Sequence, residues 1–111
     1  MSDPEDAEST ADAEAALDAD TIDALFETIE QRKRDLPEGS YTASLFTHEK
    51  GENAVLEKLG EESTELILAA KDDEREELAA ESADFLYHLL VLLSMKGMEP
   101  DDLRAELESR F

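Results

Sequence analysis

Between Thr21 and Arg110 the apolar residues recur at three- and four-residue intervals, and nowhere do they alternate with a strand period over a useful length. A chain patterned this way buries its apolar side chains as helices laid against one another. The predicted fold class is all-α, an antiparallel bundle of about four helices in which short connections keep consecutive helices side by side.

Ile22, Leu25, Phe26 and Ile29 mark one face of a first helix from Thr21 to about Asp35. Asp20 is its expected N-cap, and Arg32, Lys33 and Arg34 suit its C-terminal turn, where the helix dipole favours cations. Residues 36 to 52, with Pro37, Gly39 and Gly51, read as a loop holding one short turn of helix. A second helix is expected from Asn53 to Ala70, with Val55, Leu59, Leu66, Ala69 and Ala70 inward. Asp73 and Glu76 have the spacing of a capping box for a third, which presents Leu78, Phe85, Leu89 and Leu92 to the core and also carries Leu86, Leu90 and Leu93. Gly97 is its expected stop, and Pro100 opens a fourth helix ending near Arg110. The third helix is apolar over too wide an arc for so short a chain to cover, which predicts a homodimer or higher homo-oligomer.

Charge narrows the function. Of 111 residues, 31 are Asp or Glu and 10 are Lys or Arg, a net charge of −21. Eight of those acids fall in residues 1 to 20, with no base and little apolar bulk, so that segment reads as a disordered tail before a folded domain over 21 to 111. Nucleic acid and acidic membranes are excluded as partners, because both are held by Lys and Arg clusters. No stretch reads as bilayer-spanning and the N-terminus lacks a signal peptide's basic and apolar regions, so a cytoplasmic address is expected. Without cysteine there is no disulfide or thiolate chemistry. Most of the acidity reads as a solvated surface suited to concentrated salt.

Some carboxylates have a more particular setting. At about 100° per residue, Glu62 and Glu65 project within about 60° of each other beside the apolar stripe of the second helix, with Glu61 adjoining. Glu81, Asp84 and His88 do the same on the third, so the two flanks face each other across a helical hairpin. Carboxylates gathered at an apolar interface repel unless neutralised, and a hard divalent cation does that. The constellation predicts a magnesium site acting on a phosphorylated substrate. His88 reads as an interior hydrogen-bonded residue or as a ligand contact. Glu-x-x-Asp in place of Glu-x-x-His favours magnesium over a di-iron centre.

Glu61-Glu62-Ser63-Thr64-Glu65, followed after fifteen residues by Glu81-Ser82-Ala83-Asp84, resembles the EExxE...ExxD signature of the MazG-like all-α nucleoside triphosphate pyrophosphohydrolases. Gly39-Ser40-Tyr41-Thr42, the block Lys58 to Ala70 and Ala83 to Leu93 narrow the resemblance to the phosphoribosyl-ATP pyrophosphatases of histidine biosynthesis, over roughly residues 22 to 111. The resemblance implies hydrolysis of phosphoribosyl-ATP to phosphoribosyl-AMP and pyrophosphate. It further implies magnesium on Glu62, Glu65, Glu81 and Asp84, Glu61 as the residue that orients or deprotonates water, and an oligomer. Substrate contacts are then expected from Lys58, Ser40, Tyr41, Thr42 and His88. Ala54 stands where that family usually carries a lysine. Two other readings compete: a house-cleaning nucleoside triphosphate pyrophosphatase using the same metal site, and a non-catalytic acidic helical module.

Overall fold

The computed structural model describes residues 20 to 111, so the expected disordered tail lies, but for Asp20, outside the described residues. These residues form five α-helices and no strand: α1 (Thr21–Asp35), α2 (Tyr41–Phe46), α3 (Glu52–Lys71), α4 (Arg75–Met95) and α5 (Pro100–Arg110). The all-α expectation holds, with one helix more.

The Asp20 carboxylate caps α1 by accepting the Ile22 N–H at 2.8 Å, and the last turn holds Arg32, Lys33 and Arg34 as expected. The added element, α2, is six residues long, too short to display a period. It is fixed instead by its cap, the Ser40 hydroxyl accepting the Ala43 N–H at 3.1 Å, and by burial of Thr42, Ala43 and Leu45.

Helices α3 and α4 form the hairpin that dominates the molecule. On α3, Ala54, Val55 and Ala69 are buried, whereas Ala70, expected inward, is exposed. The expected capping box at Asp73 and Glu76 does not form. Asp73 adopts the left-handed conformation (φ 58) and closes α3, its N–H donating to Ala70 O at 3.2 Å while the Glu74 N–H donates to Ala69 O at 3.0 Å. A residue occupied in ending one helix does not cap the next, and α4 starts from Glu74 with no side-chain cap.

The face of α4 also differs from expectation. Tyr87, His88, Leu90, Val91 and Ser94 are buried, while Leu78, Phe85, Leu89 and Leu92 are only half-buried. Because α4 is apolar almost all round, periodicity does not select a core face; packing against α1 on one side and α3 on another does. Contrary to expectation, α4 is long and apolar enough, by length and composition alone, to cross a membrane. Here Leu90 and Val91 at its centre are fully buried within the bundle, joined by Phe26, Ile29, Leu45, Val55 and Tyr87. Full burial of such a side chain is worth about 1.5–3 kcal/mol relative to exposure.

Gly97 (φ 72) ends α4, with the Met98 N–H reaching Leu93 O at 2.8 Å. Pro100 opens α5 as expected, and Glu99 and Asp102 cap each other's backbone. Arg104 ties α5 to α1 through Asp23 at 2.9 Å and through Asp20, while also bonding Asp101 at 2.8 Å.

Candidate active site

The hairpin brings the two carboxylate flanks together, and a histidine joins them. His88, 2% exposed, has both Glu62 Oε1 (2.8 Å) and the Asp84 carbonyl (3.0 Å) beside Nδ1. Both neighbours are acceptors, which assigns the ring proton to Nδ1. Nε2 then accepts from the Tyr41 hydroxyl at 2.9 Å. Burial, followed by the negative charges of Glu62, Asp84 and Glu61, pushes the Tyr41 phenol above its ordinary value and keeps it a donor. One chain of hydrogen bonds thus runs from α2 through α4 to Glu62 on α3.

Glu62 keeps a second carboxylate oxygen beyond its bond to His88, and its side chain is 13% exposed. Glu81 stands nearby on α4, its carboxyl pushed up to about 7 by desolvation, a hydrogen bond with Glu77 and the charges of Glu65, Glu77 and Asp84. That elevation reflects the loss of water around the carboxyl first, and neighbouring negative charge after it. Among the described residues no Lys or Arg forms an ion pair with Glu62, Glu65, Glu81 or Asp84. No three His, Asp or Glu side chains there converge closely enough to hold a metal ion as they stand. The donors are nonetheless all oxygens and short of positive charge, which is what a hard divalent cation requires.

Glu61 and Glu65 open onto a cavity of about 520 Å³ between α3 and α4, which Glu74 and Glu77 also line. Neither Glu74 nor Glu77 is prominent in the sequence, although Glu77 lies one turn before Glu81 on the same helix. On the other side of Glu61 is a second cavity of about 190 Å³, bounded by Tyr41, His48, Lys50, Ala54 and Lys58. Lys58 stands 3.8 Å from Glu61. His48 and Lys50 are absent from the sequence-based site because they lie in the connection from α2 to α3, where no helical period relates them to Lys58.

Three of the expected substrate contacts are engaged within the fold. Thr42, 1% exposed, bonds the Tyr87 hydroxyl and has no surface left for a ligand. Ser40 serves as the cap of α2. His88 is enclosed between Tyr41 and Glu62, and its two ring nitrogens bond those side chains. Of the Ser40-Tyr41-Thr42 run, Tyr41 alone is both part of the hydrogen-bond chain and a wall of a cavity.

The family model described as phosphoribosyl-ATP pyrophosphohydrolase matches residues 22–111. The chain is 79% identical over 91 residues to the phosphoribosyl-ATP pyrophosphatase of Haloarcula marismortui, covering 82% of this chain and 93% of the relative. It is 76% identical over 91 residues to that of Natronomonas pharaonis, covering 82% and 90%. Identity to the Geobacter sulfurreducens phosphoribosyl-ATP pyrophosphatase is 50% over 92 residues, covering 83% of each chain. The first two come from haloarchaea, in keeping with the salt-adapted acidity of this surface. On these matches, and with its acidic helical hairpin, the chain belongs to the phosphoribosyl-ATP pyrophosphohydrolase family.

Proposed function

We propose that this protein hydrolyses 1-(5-phosphoribosyl)-ATP to 1-(5-phosphoribosyl)-AMP and pyrophosphate, the second step of L-histidine biosynthesis, with magnesium as cofactor. The observation that carries the reading is that the hairpin places Glu62 on α3, bonded to His88, beside the α4 flank of Glu81 and Asp84, where desolvation, a hydrogen bond with Glu77 and the charges of Glu65, Glu77 and Asp84 raise the Glu81 carboxyl to about 7. These four residues are the proposed magnesium ligands. When bound, magnesium neutralises them and stabilises the charge that gathers on the departing pyrophosphate.

The protein's own part is positioning. His88 holds Glu62 by one oxygen and leaves the other directed away from the ring, while the Tyr41 hydroxyl fixes the far side of the imidazole. Glu61, exposed and carrying Lys58 at 3.8 Å, orients the attacking water and accepts its proton. Lys58 lies one turn before Glu62 and meets the triphosphate. Apolar surface left open on α3, with Ile67 at 53% and Leu68 at 56% exposure, supports a homodimer, and the setting is cytoplasmic.

Pyrophosphate release from phosphoribosyl-ATP, measured beside a panel of ordinary nucleoside triphosphates with and without magnesium, tests the reading. Strong preference for phosphoribosyl-ATP and dependence on magnesium are expected. Equal turnover of ordinary triphosphates would sink the substrate assignment, and turnover in chelator would sink the metal.

A further inference from the structure

The proposed substrate carries charge at both ends: a triphosphate where the bond breaks, and a phosphomonoester on the second ribose. The carboxylate cluster with its magnesium accounts for the first end only. In a chain with 10 Lys and Arg against 31 acids, the placement of a cation is informative. Lys50 and Lys58 both line the 190 Å³ cavity on the far side of Glu61, and His48 lines it with them.

Lys50, Lys58 and His48 can donate there to an anion, with Glu57 and Glu61 on the same lining as the lysines' present partners. His48 Nδ1 accepts the Lys50 backbone N–H at 3.0 Å, so the proton of a neutral ring sits on Nε2, a donor. The Lys50 ammonium is held by both oxygens of Glu57 at 3.1 and 3.2 Å, and Lys58 is 3.8 Å from Glu61. These side chains are between 45% and 65% exposed, and such half-exposed pairs are worth little. Either lysine can therefore exchange its carboxylate for a phosphate at low cost. Ala54 is buried and forms part of the cavity wall.

Resting on the proposed function, we infer that this cavity binds the ribose phosphomonoester of the substrate directly, through Lys50, Lys58 and His48 and without a metal ion. Glu61 borders both cavities, so a ligand reaching from one to the other passes the residue that handles water. The cavity acts as an anchor, separate from the scissile phosphates.

Calorimetric titration of the full chain with ribose 5-phosphate in the absence of magnesium tests the anchor without turnover. Binding is expected in the parent protein, weakened about tenfold in Lys50→Ala, the loss of one charge-assisted hydrogen bond. In Glu57→Gln, which releases the Lys50 ammonium, binding tightens. With phosphoribosyl-ATP, Lys50→Ala raises KM about tenfold and leaves kcat within about twofold, the pattern of an interaction made equally in ground and transition states. A lysine with a merely structural role would not move ribose 5-phosphate affinity in opposite directions in the two variants. No binding of ribose 5-phosphate, or equal binding by all three proteins, overturns the inference even if phosphoribosyl-ATP is hydrolysed. Failure of hydrolysis with this binding intact overturns the function reading and leaves a phosphomonoester site in place.

Discussion

The cavity lined by Glu61, Glu65, Glu74 and Glu77 and the smaller one lined by His48, Lys50, Lys58, Glu57 and Glu61 share one carboxylate, yet the first is lined by acids without a base and the second balances two lysines against two glutamates. On the proposed function, the first would meet a polyanion through a divalent cation. On the further inference, the second would meet it with its own ammonium groups. A chain of net charge −21 repels phosphate at most of its surface, and the contrast shows two ways around that: import positive charge as metal, or gather scarce lysines at one spot.

The sharpest way to break the contrast is to neutralise the acidic side. Glu62→Gln or Asp84→Asn is expected to lower kcat at least about 1,000-fold with helical circular dichroism unchanged, the scale of lost electrostatic stabilisation at a reacting phosphate. If both variants kept most of their turnover, Glu62 and Asp84 would not be the metal ligands. His88→Ala should come next, lowering kcat by about 10- to 100-fold, as removal of a residue that orients a metal ligand typically does. It should also destabilise the fold by about 1–3 kcal/mol, since Tyr41 and Glu62 lose a buried partner. His88→Asn, whose amide N–H can replace Nδ1–H, should recover part of kcat; equal loss in both variants would mean that the bond to Glu62 does not matter.

Salt sharpens the comparison from outside. At about 1 M salt the Debye length is about 3 Å, so distant carboxylates cease to repel the substrate. Turnover should rise several-fold, by about one order of magnitude at most, between dilute buffer and molar salt. A maximum in dilute buffer followed by steady decline would contradict the salt-adapted reading. The smallest effect belongs to Glu81. Its folded value of about 7 lies above the ordinary 4.5, so the folded state binds the proton more tightly. The stability this contributes is complete below the unfolded value and is lost as pH rises through the folded one. Without metal, Tm should therefore fall from about pH 5 to about pH 8. Magnesium should oppose that fall by taking the place of the proton, and a metal-free Tm that rises over the range would show that Glu81 is not crowded.

Much of this was legible in the residues. Asp20, Gly97 and Pro100 mark helix ends by chemistry that acts within one turn, and all three stand where that chemistry puts them. The meeting of Glu62 with the α4 flank followed from helical angle alone. Features that depend on how separate elements meet were not legible. The choice of Leu90 and Val91 over Leu89 and Leu92 as the α4 core face needed the positions of α1 and α3. His48 and Lys50 become neighbours of Lys58 only because the connection after α2 folds back at Gly51, which no period records. Thr42, expected to contact substrate, is buried and bonds Tyr87, a contact across 45 residues that no local pattern records.

Asp73 shows what has been given priority in this chain. A left-handed C′ position is easiest for glycine, and the negative end of a helix dipole disfavours carboxylates, yet α3 is followed by Asp72, Asp73 and Glu74. Asp73→Gly should stabilise the isolated fold in dilute buffer by up to about 1 kcal/mol. The native carboxylate forgoes that gain. Hydration of an exterior suited to salt outranks local backbone ease even at a three-residue connection, and the same ordering explains why the few lysines of this protein are worth tracing to the places where they are kept.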